Sequence, residues 1–370
     1  MKELMIKPSI YKYDSVQNFV KDFKIGKEDL IVTNSFVFEP FFKDLHLEAQ
    51  VILKEKYGKG EPTDVMLDAI AANIQGNPKR IIAIGGGSVI DMAKVLSLKN
   101  IVPSDALFNG ELEIVKEKEL VIIPTTCGTG SEVTNVSILA LTKRNTKKGL
   151  AVDALYADSA VLIPELLTVL PFKFFATSSI DALIHSFESI LSPKATATTK
   201  LFGYRALDLI INGYQQIAQA GQDKRFDLFD DFLTASMYAG VSFGNAGCAA
   251  VHALSYPLGA TYHVPHGESN YALFVGVMKT YLGIKDTGEI ATLNSYVAKL
   301  LGCDVEAVYE SLEILLKNIM QLKPLRAYGV KEDELVTFTT SVIENQQRLL
   351  ANNFVPLNKE QILHIYQSLY

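Results

Sequence analysis

Asp181, His185, His252 and His266 are the residues of this chain whose types and spacing are suited to chemistry. The chain holds six histidines, and four of them (His185, His252, His263 and His266) fall between Thr177 and Gly267. Asp181 and His185 lie in ATSSIDALIHSFESIL, where Ile180, Leu183, Ile184, Phe187 and Leu191 keep a helical period. Residues four apart stack one turn above another, so carboxylate and imidazole share a polar face with Glu188, opposite the apolar stripe. Ser178 is placed to cap the start of that helix. His252 precedes a turn broken by Pro257, and His266 stands at a Pro-His-Gly corner. One carboxylate and three imidazoles make an N/O donor set suited to a borderline divalent metal such as iron, zinc or manganese. Taken singly, each has a plainer reading, as a solvated ion pair on a helix or an ordinary hydrogen-bonded histidine. The metal reading gains weight from a second signal upstream.

That signal is a pair of glycine-bearing strand ends. In RIIAIGGGSVIDMAK an apolar strand runs into Gly85, Gly86 and Gly87, and Ser88 opens an amphipathic helix. Free amides and the helix dipole at such a terminus favour a pyrophosphate. The spacing is neither G-x-G-x-x-G nor a Walker loop, and a lone glycine triplet reads equally well as a tight turn. ELVIIPTTCGTGSEVT repeats the plan, offering hydroxyls from Thr125, Thr126, Thr129 and Ser131. Two polar strand ends in one domain fit the ligand crevice of an open α/β sheet.

The elements that must position these groups divide the chain in two. Strands alternate with helices to about residue 165, which predicts an α/β dinucleotide-binding domain with a parallel sheet over 1–165. DLIVTN (29–34) reads as its second strand, SFVFEP as a loop, and KDLHLEAQVILKEKYG as a helix. From residue 166 to 370 long helical patterns dominate, predicting an all-α domain for metal and substrate. Asn358 with Gln361 forms a capping box for the last helix.

Composition bounds the rest. A length of 370 residues exceeds one core, while 48% hydrophobic and 21% charged residues fit a soluble globular chain. A net charge of −6 offers no footprint for nucleic acid or an anionic membrane. Cys127, Cys248 and Cys303 show no CxxC spacing, which suits buried thiols in a reducing cytoplasm. The N-terminus lacks a signal-peptide core, and no apolar run approaches a membrane span.

GGGSVIDMAK, PTTCGTGSEVT, DALIH and HALSYPLGATYHVPHG resemble the signatures of the iron-containing (group III) alcohol dehydrogenases, and the resemblance runs the length of the chain. It implies an N-terminal nucleotide domain, a helical C-terminal domain, an architecture shared with dehydroquinate synthase, and one divalent metal, iron before zinc. It places the metal on Asp181, His185, His252 and His266. It places NAD, with NADP not excluded, on Gly86, Gly87, Ser88, Thr125, Thr126, Thr129, Ser131 and Lys148. Within the family the chain resembles members that interconvert 4-hydroxybutyrate and succinate semialdehyde, the alternative being a general primary alcohol dehydrogenase. A small-molecule substrate and a homo-oligomer, a dimer first, follow from the same likeness. The chain departs from the family at four points, one of them His263, which stands where many relatives have Asp or Asn. Tyr256 stands where many relatives carry a proton-relay histidine, leaving His263 and Tyr256 as the acid–base candidates. Asn34 ends the second strand where NAD-preferring relatives have Asp, and Glu61 replaces an Asn near the cofactor. No cation follows Asn34 to pair with a 2′-phosphate, which favours NAD. A substrate carboxylate requires a cation, and Arg144, Arg326 and Arg348 are the candidates. Two rivals remain: a lyase resembling dehydroquinate synthase, and a non-catalytic NAD-binding protein. Net NADH formation and metal-dependent turnover separate them.

Overall fold

The computed structural model describes residues 2–144 and 146–370. The chain divides into two compact units, one spanning 6–170 and the other joining 171–370 to the first five residues.

Among the described residues the first unit holds eight strands: β1 (Ser9–Lys12), β2 (Asp29–Thr33), β3 (Gln50–Leu53), β4 (Arg80–Gly85), β5 (Glu119–Pro124), β6 (Val136–Leu141), β7 (Thr146–Ala151) and β8 (Ser159–Leu162). Six form one parallel sheet in the order β1-β8-β5-β4-β2-β3, and β6 with β7 forms an antiparallel hairpin. Helices cover both faces of the sheet, so its central strands are apolar without interruption, as buried parallel strands must be. Leu30, Val32, Ile81, Ala83, Leu120 and Ile122 face one core, which includes the helix Gly87–Leu96. Ile31, Ile82, Ile84, Val121 and Ile123 face the other, with Val16 and Phe19 of the helix Val16–Phe23.

The chain leaves β2 for β3 on one side and leaves β4 for β5 on the other. That reversal is a topological switch point, where the strand ends spread into a crevice. In register, Gly85 lies opposite Pro124, and Thr125 N–H donates to the Gly85 carbonyl at 3.1 Å. The glycine loop and the threonine loop therefore leave the sheet side by side.

Two local expectations are corrected here. Gln50–Leu53 is a strand and not part of a helix, because Val51 and Ile52 pair in register with Ile31 and Val32 at the sheet edge. SFVFEP is not a loop: Ser35–Phe41 is a short helix that tolerates Pro40 in its last turn.

In the second unit the helix Phe172–Leu191 packs against Ala197–Ala220, Phe229–Ala246 and His266–Ile284. It starts six residues before Ser178, at the Pro171 boundary, so Ser178 is not its cap and instead donates to the Phe175 carbonyl. From Thr177 to Leu191 all but Ser178 are buried, so the polar face of Asp181, His185 and Glu188 is interior. Ala250–Tyr262 continues as a helix through Pro257. The last helix, Lys359–Ser368, carries the capping box of Asn358 and Gln361. Among the described residues no helix is long and apolar enough to cross a membrane.

Candidate functional site

Three helices of the second unit bring Asp181, His252 and His266 together. Their ligand-capable atoms lie within 4.8 Å of one another. Asp181 Oδ1 stands 3.6 Å from His252 Nε2 and 3.8 Å from His266 Nε2. The Asp181 and His252 side chains are 5% and 4% exposed, whereas His266, on the first residue of its helix, is 44% exposed. The cluster is thus closed at its back and open at one ligand. His185 belongs to a second, overlapping group with His252 and Cys248. Its ring stacks between Phe243, 4.1 Å away, and His252, 4.7 Å away.

Two residues that sequence reasoning did not assign hold this cluster in place. Glu188 accepts from His252 Nδ1 at 2.6 Å and from the amides of Ala249 and Val251 at 3.0 and 2.6 Å. That bond puts the imidazole proton on Nδ1 and turns Nε2, which has no hydrogen-bond partner, toward Asp181. Asn270 donates to Asp181 Oδ1 at 2.7 Å and lies 3.2 Å from His266 Nε2. Glu188 shares the face of Asp181 and His185, and Asn270 follows His266 by one turn, so helical spacing was the available signal. Gly267 makes the approach possible: a Cβ there would lie 2.0 Å from the Thr177 carbonyl oxygen.

Electrostatics favour a cation here. Burial opposes the charge on Asp181, yet the imidazoles of His185, His266 and His252 hold its carboxyl well below the ordinary range. An ionised carboxylate beside an unpartnered buried imidazole nitrogen fits a divalent metal. Cys248 was expected only to pack; its thiol, which burial raises, is close enough to His185 and His252 to serve as a soft donor.

Tyr256 stands one turn after His252, its ring 6.3 Å from that of His266. Burial raises its pKa, so its phenol stays protonated at neutral pH. His263 is exposed and ends its helix in the left-handed conformation, with φ of 53°, and belongs to neither ligand group.

In the first unit, Gly86 and Gly87 lie against the threonine loop. Cβ atoms on them would stand 3.2 Å from the Thr126 and Thr129 methyl carbons, respectively. Thr126 Oγ1 is buried without a partner, and Ser88 Oγ donates to the Gly60 carbonyl at 3.3 Å. Thr125 is buried, and Thr129 Oγ1 accepts from the Ser131 amide at 3.3 Å. Ser131 itself turns inward: its hydroxyl donates to Asp91 at 3.1 Å and accepts from Lys94 Nζ at 2.8 Å. Lys148, on β7, donates to Asn109 at 3.0 Å. Asn34 sits half-buried at the end of β2 with no side-chain cap bond. Beside it Glu55 accepts from the Ser35 amide at 2.8 Å, and its other oxygen is buried without a partner. Burial works against that charge, but the Ser35 bonds win and lower the Glu55 pKa. A carboxylate thus stands beside the end of β2, although Asn34 follows the strand.

Comparison with known proteins shows the family of the chain. Residues 9–164 match the model for iron-containing alcohol dehydrogenases, and residues 175–370 match that for the C-terminal part of the Fe-containing alcohol dehydrogenase family. The chain is 52% identical over 371 residues to 4-hydroxybutyrate dehydrogenase of Clostridium kluyveri, covering all of both chains. It is 33% identical to long-chain-alcohol dehydrogenase 1 of Geobacillus thermodenitrificans, covering 94% of this chain and 91% of that one. Among solved structures, a 1,3-propanediol oxidoreductase superposes with a TM-score of 0.85 at 22% identity, covering all of both chains. Sulfoacetaldehyde reductase from Bifidobacterium kashiwanohense, solved in complex with NAD+, also superposes at 0.85 and 22% identity, covering 100% of this chain and 98% of that one. Two family models that between them span both units, and a relative alike from end to end, make this chain a member of the iron-containing alcohol dehydrogenase family.

Proposed function

We propose that the chain passes hydride between a nicotinamide cofactor and a short ω-hydroxy acid, with 4-hydroxybutyrate and succinate semialdehyde as the pair. The observation that carries this reading is the 52% identity, over the full length of both chains, to a relative named for that substrate. The reaction balances as alcohol plus NAD+ to aldehyde, NADH and a proton.

Asp181, His252 and His266, with His185 from the overlapping group, are the residues that would hold the metal. When bound, a divalent metal supplies Lewis acidity at the substrate oxygen. The protein's own share is positional. Glu188 fixes the His252 tautomer, and Asn270 ties the Asp181 carboxylate to the His266 helix. Tyr256, protonated, is a donor and not a base; His263 is the proposed carrier of the proton to solvent. In the first unit, Gly86, Gly87 and Ser88 offer helix amides to a pyrophosphate, with Thr125, Thr126 and Thr129 alongside. Ser131 supports that loop from beneath through Lys94 and Asp91, and Lys148 is the proposed side-chain contact from the hairpin. The Glu55 carboxylate beside Asn34 favours a ribose hydroxyl over a 2′-phosphate, supporting NAD as the preferred cofactor.

The test is a substrate panel with NAD and NADP on protein loaded with ferrous iron or with zinc. We expect 4-hydroxybutyrate with NAD to lead; equal efficiency with 1-butanol favours a general alcohol dehydrogenase. Asp181→Ala should lose both metal and turnover, and an active, fully loaded variant refutes the ligand assignment. Glu55→Gln should narrow the NAD to NADP ratio about tenfold, the worth of one lost charged hydrogen bond. The same proposal includes a cytoplasmic homodimer, checked by light scattering on the purified protein.

A further inference from the structure

A hydroxy acid carries a negative charge that a simple alcohol lacks, and the metal site described so far includes no arginine or lysine to receive it. The chain has six arginines. Five are committed: Arg80 to Asp29, Arg144 to Asp105, Arg205 to Asp208, Arg225 to Asp223, and Arg326 to the Tyr370 carbonyl. The Arg348 guanidinium is exposed and makes no hydrogen bond or ion pair among the described residues.

Its helix lies against the one that carries His252. The short helix Gln347–Leu350 packs on Ala250–Tyr262, the helix of His252 and Tyr256. Asn352 clamps the two together, donating to the buried Cys248 carbonyl at 2.8 Å. Gly247 leaves this clamp no slack, since a Cβ there would lie 2.4 Å from Asn352 Nδ2. Counting away from the clamp, one segment runs 248, 252, 256 and the other 352, 348, so Arg348 lies along the course from His252 toward Tyr256. The Arg348 charge is felt at the Tyr256 hydroxyl, where it lowers a pKa that burial raises.

The lengths agree. An extended 4-hydroxybutyrate places its carboxylate about 6 Å from its hydroxyl oxygen, three C–C bonds of ~1.5 Å plus the terminal C–O bonds. One helical turn, from His252 to Tyr256, is a rise of about 5.4 Å. An acid whose hydroxyl lies among Asp181, His252 and His266 therefore extends its carboxylate by one turn, toward the guanidinium.

We propose that Arg348 receives the substrate carboxylate, by a paired N–H fork, and so selects short ω-hydroxy acids over plain alcohols. This inference rests on the hydroxy-acid reading above. It assigns Arg348 a role in specificity and none in the hydride or proton step.

The experiment compares wild type, Arg348→Lys, Arg348→Gln and Arg348→Glu, as metal-loaded protein, with 4-hydroxybutyrate and 1-butanol. Calorimetry with butyrate on the NAD-bound protein adds a reading that needs no turnover. We expect the acid-to-alcohol efficiency ratio to fall about 10–100-fold in Arg348→Gln, through KM, the worth of one or two charged hydrogen bonds. Arg348→Glu should fall further, Arg348→Lys should lie between, and butyrate binding should weaken in parallel. Arg348→Gln that keeps both the wild-type ratio and butyrate affinity overturns the assignment while leaving the hydroxy-acid reading intact. A wild-type protein that does not distinguish the acid from 1-butanol overturns both.

Discussion

Gly267→Ala isolates the geometry on which the metal cluster depends. The added Cβ would lie 2.0 Å from the Thr177 carbonyl oxygen and 2.8 Å from its carbon, both fixed in the backbone of a buried helix. A tolerable contact is about 3.2 Å, so the helices Phe172–Leu191 and His266–Ile284 must part by roughly 1 Å, an overpacking cost of about 1–3 kcal/mol. Gly267 adjoins His266, and Thr177 lies one turn before Asp181, so the displacement falls on the 3.8 Å spacing between His266 Nε2 and Asp181 Oδ1. Metal–ligand distances tolerate only about ±0.2 Å, and a shift of about 1 Å at a reacting centre costs on the order of 10²-fold in rate. Metal stoichiometry after dialysis, kcat/KM and thermal midpoint should all fall together. Gly283→Ala, on the same helix with nothing within 4 Å of its Cβ, is the control and should gain up to about 1 kcal/mol. A Gly267→Ala protein with full metal and wild-type rate would show that the cluster does not depend on this backbone contact.

Three further outcomes follow from other contacts. Glu188→Gln keeps the shape but loses the charge that orients His252, so metal affinity should drop about 10–100-fold by competition with a chelator; unchanged affinity would make Glu188 a packing residue. Gly86→Ala presses a methyl against Thr126 at 3.2 Å and should weaken NAD binding about tenfold by calorimetry, with metal content untouched; equal binding would exclude this loop as the cradle. Glu132 is fully buried with neither oxygen bonded, and burial raises its pKa from 4.5 to about 7. Between those values the folded protein holds a proton that the unfolded chain has released, so this group's contribution declines as pH rises through the window. Glu132→Gln should therefore match wild type near pH 4.5 and exceed it above pH 7 by up to roughly 3 kcal/mol, read from denaturant midpoints across pH; a pH-independent difference would contradict this.

Side-chain identity and periodicity carried much of the architecture. Apolar runs ending in glycine or threonine marked β4 and β5, because strands covered on both faces need no polar alternation. What periodicity missed were elements decided by distant partners. Gln50–Leu53 takes its strand form from β2, and Ser35–Phe41 follows an Asn34 N-cap position that carries no side-chain cap bond. The candidate site divides in the same way. Asp181 and His185 sit on one visible helical face, and Glu188 lay on that face too. Its role needs the loop before Val251, whose amides point at it. Cys248 read as packing because its neighbours, His185 and His252, come from two different helices. Arg348 stood out from the other arginines only once their partners were visible.

The first five residues bear on how the molecule can be taken apart. Asn245 binds both the amide and the carbonyl of Met5, at 2.7 and 3.0 Å, and Thr196 donates to the Glu3 carbonyl at 3.0 Å. The sheet unit is thus one uninterrupted stretch, 6–170, inserted into a helical unit made of two pieces. A fragment beginning at residue 171 would lack a strip of backbone that buried helices use as a bonding partner. A fragment that joins residues 1–5 directly to 171–370 would restore it. Fusion tags and truncations at the amino end will disturb Ala197–Ala220 and Phe229–Ala246, the two helices packed against the one that carries Asp181 and His185, although the residues next in sequence belong to the sheet.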